Sequence, residues 1–327
     1  MVTIKQVAQE AGVSKSTVSR YISQNGYVGK EAQEKIEKTI KKLKFVPNLS
    51  ARSLKTKRNQ LVGLLLPDIS NPFFPMLAKG VEEFLQEKGY RVMLGNIGED
   101  EALEEDYLKV LVQTNAAGVI TTHDFSEKFP DIDLPMVIVD RVGHKSNYGV
   151  FSNNEEGGKL AAKIVVEAGG KNIAVVSGPV TAININNRFK ASVDFLETTN
   201  VHYQKFYSNS YNFEDIQVEA NKLLNEFQEV DTIIAPSDIH GIAFIHEILA
   251  RGKKIPEDIQ VIGYDDILIS QFVYPALSTI HQSAYKMGEE AAKLIYEIDN
   301  EQHIEKKRIE LPIHYVERET LRKRKEH

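Results

Sequence analysis

Cysteine is absent from all 327 residues. That excludes a disulfide framework, a thiolate-ligated zinc site and a thiol nucleophile. No run of about 18 apolar residues occurs, so no segment can cross a bilayer as a helix. The opening Met1-Val2-Thr3-Ile4-Lys5-Gln6 lacks the basic start and apolar core of a secretory signal, and the chain is expected in the cytoplasm, off the membrane. Also missing are a Gly-x-Ser-x-Gly elbow, a P-loop and a Gly-x-Gly-x-x-Gly turn after a strand, which argues against an enzyme of the common α/β types. The nine histidines are scattered, and His240 and His246, six residues apart, do not share a helix face. No metal and no cofactor are expected.

What is present is a globular composition, 42% hydrophobic and 26% charged, at a length that predicts two or three folding units. The net charge of -6 hides a division. Residues 1–60 carry 13 Lys and Arg against 4 Asp and Glu, a balance of +9, and the remainder carries 27 against 42, a balance of -15. A small cationic segment joined to an acidic body fits a polyanion-binding module attached to something else, although a solvated basic face gives the same count.

Within the cationic segment, Thr3-Ile4-Lys5-Gln6 fits a capping box ahead of the apolar Val7, Ala8 and Ala11. Gly12 ends that helix, and Ser14 can cap a second one through Lys15, Ser16, Thr17, Val18, Ser19 and Arg20. Two helices joined by a short turn containing glycine make a helix-turn-helix. Val7, Ala8, Ala11, Val13, Val18 and Ile22 form its inward set, which leaves Lys15, Ser16 and Arg20 outward. Arg20 can bond guanine bidentately in the major groove, whereas Thr3, Thr17 and Ser19 suit phosphate contacts that set register. A third helix is predicted over 30–44, with Ile36, Ile40 and Leu43 at helical spacing. Phe45-Val46-Pro47-Asn48 breaks it. Asn48 can cap a further segment over 49–55 that is too short to hold as a helix in water by itself.

The strings Thr3-Ile4-Lys5-Gln6-Val7-Ala8, Ala11-Gly12-Val13-Ser14 and Thr17-Val18-Ser19-Arg20 resemble the headpiece of LacI-type regulators almost position for position. The resemblance implies an N-terminal all-α helix-turn-helix domain over 1–46 and a hinge helix and linker over 47–60. A sugar-binding and dimerisation domain over 61–320, made of two α/β lobes with doubly wound parallel sheets, is implied next, with a basic tail over 321–327. It implies DNA contacts from Asn48, Ala51, Leu54 and Lys55 in the hinge besides those of the headpiece; paired hinges meeting at Ala51 would push Leu54 into a minor-groove base step. The implied partners are a pseudo-palindromic operator, a small sugar and a second copy of the chain; no leucine heptads follow 320, which favours a homodimer. Arg322-Lys323-Arg324-Lys325 is expected to be a frayed, solvated end.

After Gln60, apolar runs at 61–66, 91–94, 118–121, 136–139, 173–176, 232–235 and 259–262 alternate with helical stretches, one of them over 75–88. Such alternation predicts parallel sheets with helices on both faces and ligands beyond the carboxyl ends of the strands. The body resembles the periplasmic sugar-binding proteins. Carried onto this chain, the resemblance implies effector contacts from Asn71, Phe73, Phe74, Asp140, Arg141, Arg188, Asp238, Asp265 and Gln282. Carboxylate and guanidinium forks bond adjacent hydroxyls, and an aromatic ring covers the C-H face of a sugar. Phe73 and Phe74 read equally as core residues, and Asp238 equally as a helix cap. Ser237-Asp238 stands where ribose binders commonly have Asn-Asp, which counts against ribose among the sugars expected, with sucrose and fructose. The resulting reading is an allosteric repressor of a carbohydrate-utilisation operon. The alternative is a corepressor-dependent relative that answers to a purine, a sugar phosphate or a partner protein.

Overall fold

The structure, a computed structural model, describes residues 2–23, 26–45, 59–98, 100–125, 128–143, 146–179, 183–210 and 213–323. The expected hinge contacts Asn48, Ala51, Leu54 and Lys55 lie outside that set, as do the last four positions of the tail. The chain divides into a small unit, residues 1–60 with 113–116, and a large unit, 61–112 with 117–327.

In the small unit, α1 (Ile4–Ala11) begins at a closed capping box. Thr3 Oγ1 accepts the Gln6 amide, and Gln6 Oε1 accepts the Thr3 amide at 2.8 Å. Gly12 ends the helix in the left-handed region, φ +66, where a side chain would be strained. Ser14 then caps α2 (Lys15–Ser23), accepting the Thr17 amide at 3.1 Å. Both helices pack on α3 (Lys30–Leu43) around Val7, Ala8, Ala11, Val18, Val28, Ile36 and Phe45, with Val13, Ile22, Ile40 and Leu43 at the margin.

The large unit has two lobes. The first runs β1 (Asn59–Leu66), α4 (Phe73–Glu87), β2 (Arg91–Asn96), α5 (Glu101–Gln113), β3 (Ala116–Thr121), β4 (Met136–Val139) and β5 (Gly149–Ser152). The second runs α6 (Asn154–Glu167), β6 (Asn172–Ser177), α7 (Ile183–Glu197), β7 (His202–Tyr207), α8 (Phe213–Glu226), β8 (Thr232–Ile234), α9 (Asp238–Ala250), β9 (Gln260–Asp265) and β10 (Ser278–Gln282). The chain returns to the first lobe for α10 (Ala284–Asp299) and β11 (Arg308–Leu311), and ends on the second with β12 (Ile313–Val316). The sheet orders are β2-β1-β3-β4-β5-β11 and β7-β6-β8-β9-β10-β12. They share one topology, and β12 runs antiparallel to β10. Each order reverses beside its first strand, the switch point at which such sheets open a crevice.

Three features differ from expectation. Helix α4 starts at Phe73 rather than at Pro75, because a proline in the first turn lacks only an amide that would be unpaired there anyway. Strands β5, β7, β10, β11 and β12 have no counterpart among the apolar runs. The tail is not free from 321 onward: Leu321 is buried, and Arg322 bonds the Gln260 side chain through its backbone amide (2.7 Å) and the Pro256 carbonyl through Nε (3.0 Å).

The tightest crossing in the first lobe joins α4 and α10. A methyl group on Gly288 would lie 2.0 Å from the Leu77 carbonyl oxygen, and one on Gly80 would lie 2.1 Å from that of Tyr285. Both obstacles are backbone, so neither side can yield without moving a helix. Gly288→Ala should therefore cost about 2 kcal/mol or more, measured as a lower urea midpoint with an unchanged m-value. A neutral result would mean that the helices separate freely.

Candidate DNA interface and effector cleft

On the small unit, Lys15, Ser16, Ser19 and Arg20 are exposed along one side of α2, while Val18 on the opposite side is fully buried. Thr3 is exposed and Thr17 half-buried. The Ser16 and Thr17 hydroxyls gather on Ser14 Oγ at 2.7 and 2.8 Å. Hydroxyl and ammonium donors at the positive end of a helix, held by an apolar underside, suit a polyanion.

On the large unit, a cavity of about 420 Å³ opens between the lobes. Asn71, Phe73, Phe74, Asp140 and Arg141 wall it from the first lobe, and Arg188, Ser237, Asp265 and Gln282 from the second. Most of these residues stand just past the carboxyl ends of β1, β4, β8, β9 and β10, as the parallel topology requires. Asn71 Oδ1 accepts the Phe73 amide at 3.1 Å and so fixes the start of α4. The two rings it presents meet edge to face, 5.3 Å apart. Phe73 and Phe74 are both buried and both line the cavity; core and lining are one position here. Asp140 and Asp265 leave their strands at φ +62 and +110, conformations that a surrounding fold must impose.

Arg188, on α7, is the hub. Its guanidinium bonds the Asn154 side chain, the Pro236 carbonyl at 3.1 Å and Asp265 Oδ1 at 3.4 Å. It lies 3.7 Å from the centre of the Tyr264 ring and faces Asp140 across the cleft at 4.0 Å. Gln282 Nε2 donates to Asp265 Oδ1 at 2.6 Å. Burial pushes the Asp265 carboxyl up to about 8, against the pull of Arg188. The remaining amide oxygen, Gln282 Oε1, is buried with no hydrogen-bond partner among the described residues. Such an atom calls for a donor from a ligand. Buried carboxylates, guanidinium groups and a pair of rings together match a polyhydroxylated molecule.

Asp238 does not belong with them. It is fully buried below the floor of the cavity and accepts from the Ile267 amide (2.8 Å), Ser270 Oγ (2.6 Å) and Thr279 Oγ1 (2.5 Å). Three protein donors converge on its carboxylate and tie α9 to β10 and to the segment after β9. Its neighbour Ser237 lines the cavity instead, held at 2.8 Å by His240 Nδ1. Burial pushes His240 down to about 3, so its ring is neutral. Asp68, in the segment after β1, also lines the cavity, as do Asn209 and Ser210, which the sequence reading does not anticipate. The signal for Asn209 and Ser210 was their place after β7, a strand the apolar pattern does not reveal.

Residues 3–48 match the pattern of bacterial regulatory proteins of the lacI family, and residues 162–321 match a periplasmic binding protein-like domain. The chain is 72% identical over 327 residues, all of both chains, to the ribose operon repressor of Lactococcus lactis subsp. lactis (strain IL1403). It is 40% identical over 325 residues, 99% of each chain, to the ribose operon repressor of Bacillus subtilis (strain 168). This chain belongs to the lacI family of bacterial regulatory proteins. Among solved structures, a LacI family transcriptional regulator from Enterococcus faecalis V583 with bound ribose is similar at a TM-score of 0.70 and 26% identity, covering 80% of this chain and 98% of that one. The family is one of DNA-binding repressors rather than enzymes, and this member is a repressor of a sugar operon.

Replacing Asp238 separates the two kinds of carboxylate. Asp238→Ala strands three buried donors and should lower the unfolding free energy by about 3 kcal/mol, read by urea denaturation. Effector affinity of the folded protein should change less than about threefold, since lost contacts cost more than that. A tenfold loss in calorimetry would return Asp238 to the binding set.

Proposed function

We propose that this chain is a ribose-responsive repressor of a ribose-utilisation operon. It acts in the cytoplasm as a homodimer on a pseudo-palindromic operator. Residues 1–46 read DNA, 47–60 form the hinge, and the lobes that follow bind the sugar. The observation that carries the reading is the convergence of Asp140, Arg141, Arg188, Asp265 and Gln282 from both lobes on one cavity beside Phe73 and Phe74. At about 420 Å³ it has the size of a small-molecule site. The two relatives named for a ribose operon and the related structure holding ribose support the pentose over sucrose or fructose. The departure at Ser237-Asp238 weighs less against ribose, since Ser237 is among the residues that line the cavity and Asp238 is not.

A dimer is supported by the apolar side chains the large unit leaves exposed, with Leu268, Ile269, Phe272 and Tyr274 clustered on the second lobe and Leu94 and Leu103 on the first. Monomeric proteins rarely leave such patches in water. For the headpiece, Arg20 on the exposed side of α2 is assigned to base reading, and Thr3, Lys15, Ser16, Thr17 and Ser19 to phosphates and register.

Two measurements test the assignment. In fluorescence anisotropy at moderate salt, the chain should prefer the duplex upstream of the ribose genes over random duplex, and ribose should change that preference. Arg20→Ala should lose about tenfold or more of it while ribose still raises the melting temperature. Equal loss on both duplexes would remove Arg20 from base reading. The second concerns protons. Sugar hydroxyls that donate to Asp265 favour its carboxylate, so the complex holds fewer protons than the free protein, and ribose affinity should rise with pH through about 8. Calorimetry near neutrality in buffers of different ionisation enthalpy should show proton release. Its absence would mean that the sugar does not donate to Asp265.

A further inference from the structure

Beside the interlobe cavity the first lobe holds a second, of about 270 Å³, and Gly98 and Arg141 line both. The charged groups on its walls are Asp100, Glu101, Glu104, His123, Asp124 and Lys128, besides Arg141. Several are engaged with neighbours. Lys128 pairs with Glu101, Asp124 accepts from the Ser146 hydroxyl at 2.7 Å, and Asp100 caps α5 through the Ala102 and Leu103 amides.

Glu104 and His123 stand in line behind Arg141. Glu104, on α5, is 4% exposed; its Oε1 makes no hydrogen bond and lies 3.5 Å from His123 Nδ1. The opposite edge of the ring, Nε2, lies 3.2 Å from Arg141 Nη1. A guanidinium stays charged and only donates. His123 Nε2 must therefore be the acceptor, which places the ring proton on Nδ1, toward Glu104. A second proton would turn Nε2 into a donor facing a donor, and the contact with Arg141 would give way to repulsion. With the proton on Nδ1, the ring stands between Glu104 and Arg141, its Nδ1 3.5 Å from the carboxylate oxygen.

We propose that Glu104 and His123 are positioning residues for effector recognition, holding Arg141 in place for the sugar only while His123 Nε2 carries no proton. Sugar affinity is thereby linked to proton uptake at that histidine. The inference rests on the reading of the interlobe cavity as a ribose site. It goes beyond that reading because neither Glu104 nor His123 lines that cavity. A hydrogen bond to a charged group is worth about tenfold or more in an equilibrium.

Calorimetric titration of the full chain with ribose from about pH 5.5 to about pH 8 tests this, with circular dichroism melts to show that each variant is folded. The parent should weaken about tenfold toward acid. His123→Gln, whose amide oxygen can accept from Arg141 without titrating, should match the parent at the alkaline end and lose the acid weakening, keeping only the dependence set by Asp265. His123→Leu and Glu104→Leu should bind weakly across the range. A His123→Gln variant that follows the parent into acid, or leucine variants that bind as tightly as the parent, overturns the proposal. If the parent binds no ribose at any pH, the sugar reading itself falls; if the parent binds and the variants behave as it does, only the positioning role falls.

Discussion

Arg188 keeps a full positive charge with only 5% of its surface exposed, and the middle of the large unit is arranged around that fact. Removing such a charge from water costs several kcal/mol unless anions and acceptors replace its hydration. Here the replacements come from four directions: Asp265 at the end of β9, the Pro236 carbonyl after β8, Asn154 at the start of α6, and Asp140 across the cleft. The Tyr264 ring fills the remaining face. Two glycines make the approach possible. A methyl on Gly157 would lie 2.0 Å from the Tyr264 hydroxyl, and one on Gly158 would lie 2.1 Å from the Arg188 carbonyl oxygen. Neither Gly157 nor Gly158 lines the interlobe cavity, yet the close approach they permit sets the place of Arg188 and Tyr264 beside it.

The same arrangement explains why the cleft suits a polyol. Asp140 and Asp265 share one guanidinium, and Gln282 Oε1 has no hydrogen-bond partner among the described residues. In the proposed complex, adjacent hydroxyls of the sugar donate to these acceptors and accept in return from Arg141 and Arg188. Because the acceptors belong to both lobes, a ligand that satisfies them favours the geometry in which the lobes stand close. A small molecule shifts a protein between forms only through such a difference in contacts.

Much of this was legible in the sequence, for identifiable reasons. The headpiece signals are local: Thr3 with Gln6, Gly12 and Ser14 act within one turn, and each is where its chemistry requires. The central strands are buried on both faces and read as apolar runs. The strands that escaped notice are of other kinds. In β7, His-Tyr-Gln-Lys-Phe-Tyr, one residue of six is buried, because an edge strand packs on one side only. In β10, Ser-Thr-Ile-His-Gln is mostly buried but polar, the Thr279 hydroxyl donating to Asp238 and the Ser278 hydroxyl accepting from the Arg318 amide. Hydrophobicity carries no trace of either. Gly157-Gly158 and the Glu104 to His123 contact were equally invisible, since each depends on elements far apart in the chain.

Two aspartates one strand apart show what sequence alone leaves undecided. Asp238 follows β8 and Asp265 ends β9, both are buried, and burial pushes both carboxyls up, to about 7 and about 8. Position and burial are therefore shared and cannot separate a tie from a binding residue. Donor supply can. Asp238 receives one amide and two hydroxyls of its own lobe, is not among the residues lining the cavity, and packs so closely that a methyl on Gly263 would lie 2.2 Å from its Oδ1. Asp265 receives Gln282 and a long contact from Arg188, both on Oδ1, and borders open volume. A buried carboxylate whose acceptors are filled by the fold holds the fold together; one left partly unfilled at the edge of a cavity has acceptor capacity to offer, which is the basis of the proposed sugar contact at Asp265.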